Sequence, residues 1–172
     1  ESTHAGEPFT LLQYPSQIVD EIVEQANVKR IEISDAYPCS PLQEGLCALS
    51  IRDPKSYKAR VICHLRPGTD LQVFRAAWER TYEMNDILRT RFIASSTDGT
   101  IQAVIHRPFE WDEANNLTHY LNYIEKKPMG LGQQLVHACL LTNQPALDHP
   151  GIFVLALHHG ICDRWSIRQL LE

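Results

Sequence analysis

Two adjacent histidines and a nearby aspartate are the side chains of this sequence that could do chemistry together: His158, His159 and Asp163. A neutral imidazole can take a proton from an attacking amine or alcohol, or orient that nucleophile by a hydrogen bond, because its pKa lies near working pH. Asp163 could pair with an arginine and so hold the loop, or it could cap the following helix. Since a histidine is more often a packed or surface residue than a catalyst, the pair alone does not define a site.

Metal binding and nucleophilic catalysis are two other interpretations of the same segment. Metal ligands could come from His158, His159, Cys162 or Asp163, but adjacent residues of a strand diverge and no second ligand cluster stands out. No G-x-S-x-G motif marks a serine nucleophile, and Cys162 has no evident base directed at it. The sequence therefore predicts no metal site and gives little support to a serine or cysteine nucleophile.

The element that delivers the two histidines is a nearly continuous apolar run over residues 151–157. Such a run is typical of a strand that is covered on both faces. Successive residues of a strand face opposite sides, so His158 and His159 cannot do the same job. We expect one of them to point into the structure and the other toward a cleft.

Periodic apolar patterns predict the remaining elements. Ser40, with Gln43 three residues on, forms a capping box, and Asp98-Gly99 supplies a hairpin turn. The predicted elements are a helix over residues 18–26 capped by Ser16, a short helix from Ser40 through Leu49, a strand from Tyr57 to Leu65, a helix after Asp70, a strand pair over residues 88–94 and 100–106, a helix over residues 117–124, a strand over residues 135–141 and a last helix from Trp165. This order favours an α/β or α+β layered sandwich.

Length and composition suit one globular domain or large lobe. The 172 residues are 44% apolar and 22% charged, with a formal net charge of -5, which argues against a general nucleic-acid binder. No apolar run could span a membrane and the first seven residues show no signal-peptide pattern, so we expect a cytoplasmic protein. The cysteines have no C-x-x-C spacing and predict reduced thiols: Cys39, Cys47, Cys63, Cys139 and Cys162.

Three segments resemble the ordered motifs of one enzyme family. Residues 158–166, HHGICDRWS, are similar to the HHxxxDG motif of nonribosomal peptide synthetase condensation domains. Residues 37–46, YPCSPLQEGL, resemble the first motif of the family in its fungal form, and residues 85–92, NDILRTRF, resemble the second. The resemblance covers roughly residues 33–172.

The resemblance implies a fold like chloramphenicol acetyltransferase, with two similar lobes in a V. Residues 14–172 would be the N-terminal lobe and residues 1–13 a linker, while the C-terminal lobe would lie outside the chain, so this fragment should be inactive alone. The implied reaction joins a carrier-bound acyl or peptidyl thioester to a carrier-bound aminoacyl group as an amide. Its implied partners are upstream and downstream carrier domains, the C-terminal lobe and an adjacent adenylation domain. No cofactor would bind directly, because the carriers bring the phosphopantetheine.

The resemblance also assigns roles within the motifs. His159 matches the active histidine, which positions or deprotonates the amine, and His158 matches the structural first histidine. Asp163 matches the aspartate of the motif, expected in an ion pair that shapes the loop, with Arg89 as the candidate partner. The other motif residues carried over are Gly160, Arg164, Trp165, Ser40 and Gln43.

The sequence departs from the family pattern at two places. Arg164 stands where the family usually has glycine, which can adopt backbone angles that cost other residues free energy. Met84 and Asn85 replace the usual Arg-His of the second motif. Two alternatives therefore stay open: a catalytically degenerate module that docks carriers, and a related HHxxxD acyltransferase that uses a free or coenzyme A-linked donor.

Overall fold

The computed structural model describes residues 7–142 and 150–171 of the chain. Two short 3-10 turns, at Arg30–Glu32 and Asp86–Arg89, accompany its helices and strands. In chain order the elements are α1 (Pro15–Ala26), β1 (Ile33–Pro38), α2 (Pro41–Arg52), β2 (Lys58–His64), α3 (Leu71–Met84), β3 (Thr90–Ser95), β4 (Gly99–Ile105), α4 (Leu117–Lys126), β5 (Val136–Leu141), β6 (Ile152–His158) and α5 (Arg164–Leu171).

The strands of the described residues form two three-stranded sheets, ordered β1-β4-β3 and β2-β6-β5, and neighbouring strands in each sheet are antiparallel. The predicted layered sandwich is therefore confirmed in its α+β form. Strand β6 is the centre of its sheet and is buried along its whole length, as its apolar run predicted. Its last residue, His158, pairs with Lys58 at the start of β2.

Two hydrophobic cores lie on either side of strand β3. One core surrounds the β2-β6-β5 sheet and includes buried residues of α2, α3 and α4, together with Phe92. The other core packs the apolar face of α1 against the β1-β4-β3 sheet and includes Ile93, the next residue of β3. Because neighbouring strand residues face opposite sides, β3 contributes to both cores.

The predicted capping box is confirmed and the predicted cap at Ser16 is wrong. Ser40 and Gln43 form the predicted capping box at the start of α2, and Asp70 caps α3 through the backbone N–H groups of the first turn. Ser16 does not cap α1, because the helix already begins at Pro15. Proline suits the first helical position, where its missing N–H leaves no unpaired donor, and it places Ser16 inside the first turn.

Strand β1 was not predicted from the sequence, and β3 begins later than predicted. The residues of β1, Ile33–Pro38, show no clear alternation of apolar and polar side chains. The pairing of β1 with β4 is irregular between Ile33 and Asp35, and this irregularity interrupts the alternation of faces. Strand β3 begins at Thr90 rather than at Leu88, since a buried 3-10 turn occupies the preceding residues.

The segment predicted as a linker is only partly described. Residues 1–6 lie outside the described part of the chain. Within residues 7–13, Leu12 is buried in the core beneath α1, and the backbone N–H of Phe9 donates to the Asp35 carboxylate at 2.7 Å. This stretch therefore packs against the β1-β4-β3 sheet. None of the helices within residues 7–142 and 150–171 is long and apolar enough to cross a membrane.

Candidate active site

The two histidines point to opposite sides at the end of β6. His158 is the last residue of the strand and its side chain is 1% exposed, whereas His159, one residue beyond the strand, is exposed. The predicted divergence of the pair is thus confirmed. The ring of His158 is thus enclosed by the protein, whereas the ring of His159 faces solvent.

Hydrogen bonds on both ring nitrogens fix the tautomer of His158. The backbone N–H of Gly160 donates to Nδ1 at 2.9 Å, so Nδ1 carries no proton. Nε2 lies 2.6 Å from Oγ of Ser50, and that hydroxyl donates to the carbonyl of Leu46 at 2.8 Å. The neutral ring therefore carries its proton on Nε2 and donates it to Ser50. Burial and the neighbouring charges of His159 and Lys58 lower the pKa of His158 to about 4.

Acidification should weaken the fold through His158. Well above pH 6.5, the ordinary pKa of histidine, the ring is neutral in both states; between about 6.5 and 4 the unfolded chain binds a proton that the folded chain resists. The free energy of unfolding should therefore fall by about 3 kcal/mol as the pH drops through this window. Denaturant titrations at several pH values, compared with the His158→Gln variant, measure this contribution.

The carboxylates with the lowest pKa values do not interfere with that comparison. Glu32 has a pKa of about 2, because Arg107 donates hydrogen bonds to its carboxylate. Burial raises the pKa of Asp112, but the hydrogen bond from His137 opposes it and the pKa is also about 2. Both therefore keep their charge throughout the window. An unchanged pH slope in the His158→Gln variant would contradict the expected contribution of the ring.

Among the described residues, the backbone of His159 makes a hydrogen bond and its ring does not. Its N–H donates to the carbonyl of Tyr57 at 2.8 Å, which extends the β2-β6 ladder by one bond. Tyr57 itself has φ 61°, a left-handed conformation that is uncommon for a bulky residue. Within residues 7–142 and 150–171, no hydrogen bond to the His159 ring is found. Among the described residues, both ring nitrogens of His159 are therefore without a hydrogen-bond partner.

The first sequence motif holds the loop that follows His159. Nε2 of Gln43 donates to the carbonyl of Gly160 at 3.1 Å, and its amide also exchanges hydrogen bonds with Gln102 of β4. Ser40 donates through its backbone N–H and its hydroxyl to Oε1 of Gln43, each at 3.0 Å. The capping box thus fixes the amide that reaches the histidine loop.

Glycine is required at position 160 by close packing. A Cβ atom there would lie 2.8 Å from the Phe92 ring and 2.9 Å from Nδ1 of His158. Phe92 is fully buried and meets the His158 ring edge-on, with 5.7 Å between the ring centroids. The loop after His159 therefore lies directly on the buried histidine.

The predicted ion pair between Asp163 and Arg89 is not formed among the described residues. Asp163 is the N-cap of α5: its carboxylate accepts from the backbone N–H of Ser166 at 2.7 Å, and its own N–H donates to the Ser166 hydroxyl at 2.8 Å. Hydrogen bonds from the backbone and the side chain of Ser166 to the carboxylate lower the pKa of Asp163. Arg89 is 8% exposed and pairs with Asp86 within its own 3-10 turn. The capping role, left open from the sequence, is the observed one.

Arg164 and Trp165 occupy the exposed first turn of α5. Arg164 has no positive φ, so the position does not demand the backbone freedom of glycine. The Trp165 ring is 70% exposed and borders a groove of about 410 Å³, whose lining includes Ile87, Ile161 and Leu170. The motif thus continues from an exposed imidazole to an open, mainly apolar surface.

Thiol and metal chemistry find little support at this site. Cys162 is buried, its thiol donates to the carbonyl of His158 at 3.4 Å, and burial raises its pKa to about 11. A thiol with such a pKa is a poor nucleophile. The described part of the chain holds no group of three or more metal-binding side chains. Its five cysteines are free thiols.

Comparison with known families places this site in one class of domain. The Condensation domain family matches residues 33–172, so the chain belongs to the condensation-domain family. The segment with the paired histidines lies within the matched region.

Among curated proteins, nonribosomal peptide synthetase opaA of Aspergillus ustus is 67% identical over 174 residues and matches 100% of the chain. Nonribosomal peptide synthetase anaPS of Neosartorya fischeri is 42% identical over 157 residues and matches 91% of the chain. The chain spans only 4% and 7% of the lengths of these two synthetases.

Solved structures confirm the predicted lobe fold. The starter condensation domain of rhizomide synthetase RzmA matches 80% of the chain with a TM-score of 0.63 at 20% identity. The first condensation domain of the calcium-dependent antibiotic synthetase matches 81% with a TM-score of 0.64 at 16% identity. The chain covers 36% and 37% of these two structures.

Proposed function

We propose that the chain supplies one wall of a condensation active site, in which His159 serves an amine that attacks a thioester. The observation that supports this most is the position of His159. Its ring is exposed at the end of a fully buried strand, while hydrogen bonds fix the residue on either side of it. A side chain whose neighbours are fixed in this way loses little conformational freedom when it meets a substrate.

The proposed reaction forms a C–N bond and breaks a C–S bond. The amine nitrogen of the acceptor aminoacyl group attacks the carbonyl carbon of the donor thioester. The donor sulfur then leaves as the thiol of a phosphopantetheine arm, and the amine loses one proton. Nδ1 or Nε2 of His159 either accepts that proton and passes it to the leaving sulfur, or holds the amine by a hydrogen bond while the sulfur takes the proton.

The remaining assignments extend the same proposal. Residues 14–172 would form the N-terminal lobe and residues 1–13 a linker to a preceding carrier domain. A second lobe would close the cleft over His159, and upstream and downstream carriers would bring both substrates on phosphopantetheine arms. An adenylation domain would load the acceptor carrier. The similarity to multidomain synthetases supports these assignments.

The degenerate docking module is the weaker alternative, because Arg164 occupies an ordinary helical position. Glycine in the first turn of α5 would relieve no backbone strain and would lower the stability of the helix by up to about 1 kcal/mol. The departure from the family pattern is therefore not by itself a sign of decay. We expect the Arg164→Gly variant to form product at the wild-type rate.

Reconstitution of amide formation tests the proposal. The intact polypeptide that carries this chain is supplied with one carrier bearing an acyl group and another bearing an aminoacyl group. Mass spectrometry of the acceptor carrier should show the amide for both the wild type and Arg164→Gly. Binding of both carriers without product in the wild type, with product restored by Arg164→Gly, would support the docking module instead.

A further inference from the structure

Helix α2 contacts both chain neighbours of His159. Near its end, Ser50 meets the ring of His158; near its start, Gln43 meets the carbonyl of Gly160. Gln43 belongs to a recognisable motif, whereas Ser50 does not. The serine is buried at 5% exposure, so its hydroxyl faces the protein interior rather than solvent.

The hydroxyl of Ser50 is the acceptor that the buried imidazole needs. Without it, the Nε2–H of His158 would be buried with no partner, which is unfavourable. The ring could not simply move its proton to Nδ1, because the backbone N–H of Gly160 already points at that nitrogen. The ring would have to rotate or shift, and the adjoining residue 159 would move with it.

We propose that Ser50 is a positioning residue for His159, acting through the tautomer and orientation of His158. The role rests on the proposed function of His159 and deepens it. Because the carbonyl of Leu46 can only accept, Ser50 donates to it and accepts from His158. The helix backbone therefore determines which group donates and which accepts in each of these two bonds. Gln43 holds the opposite side of the same loop.

A double-mutant cycle with His159 tests this role. In the intact polypeptide, Ser50→Ala should lower kcat for amide formation by roughly 10- to 100-fold, with KM for both loaded carriers nearly unchanged, because a small misplacement of a catalytic group costs that much. In the His159→Ala background, Ser50→Ala should cause no further loss, since residues that act through one group are not additive.

Two further variants separate positioning from general destabilisation. Ile18→Val trims the distant core beneath α1 and should lower Tm without changing kcat. Ser50→Thr keeps the hydroxyl and should restore most of the rate lost in Ser50→Ala. An equal loss in both His159 backgrounds, or no loss in either, would overturn the role of Ser50. Wild-type turnover by His159→Ala alone would instead overturn the proposed function, so the two failures are distinguishable.

Discussion

Replacing His159 by alanine is expected to lower the rate of amide formation on the order of 10²- to 10⁴-fold, the usual contribution of a positioned acid–base group. The fold should be little affected, because the ring is exposed and no hydrogen bond of its side chain is found in the described residues. Exposed substitutions of this kind usually change stability by less than about 0.5 kcal/mol. The rate is measured with both carriers loaded, and stability by thermal unfolding of the same samples.

A second substitution at this position separates the two proposed roles of the ring. His159→Gln keeps a hydrogen-bonding group but cannot accept a proton at working pH. A rate near that of the wild type would favour positioning of the amine, and a rate near that of His159→Ala would favour general-base catalysis. His119→Ala on α4 removes another exposed histidine and serves as the control. Equal turnover by His159→Ala and the wild type would contradict any role for this ring.

Gly160→Ala should damage both stability and activity. The added Cβ would meet the buried Phe92 ring and the His158 ring at distances that real structures do not tolerate. Overpacking of this kind typically costs about 1–3 kcal/mol, and here it also displaces the N–H that fixes the His158 tautomer. We expect a lower Tm together with a loss of amide formation of at least about 100-fold, since the shift falls beside the reacting group.

Gly45→Ala is the matched control for that substitution. Gly45 lies on the exposed surface of α2, and a Cβ there would have no neighbour within 4 Å. Alanine should stabilise the helix by about 0.5–1 kcal/mol relative to glycine. A Gly160→Ala variant as stable and as active as Gly45→Ala would show that the loop after His159 does not need its close packing.

The sequence predicts well those features that depend on neighbouring residues. The apolar run before the histidines specified a strand buried on both faces, and alternation alone separated His158 from His159. The capping box of Ser40 and Gln43 also follows from spacing along one helix. Each of these sequence patterns lies within a few residues of the structural feature that it predicts.

Features that depend on distant partners escaped prediction. Ser50 and His158 are separated by 108 residues, and a serine on the buried side of a short helix carries no signal of its partner. Arg89 was expected to reach Asp163, yet the arginine pairs with an acidic group of its own turn and the aspartate is satisfied as a helix cap. Local partners are favoured here because they need no long-range alignment.

The contact between Phe92 and His158 joins strands that belong to different sheets. The carbonyl of Phe92 also accepts from the backbone N–H of Gly132 at 2.7 Å, in the segment that precedes β5. Displacement of one sheet relative to the other would therefore disturb the packing of the buried histidine. Because the next residue along the chain is His159, such a displacement would also move the backbone that carries the exposed imidazole.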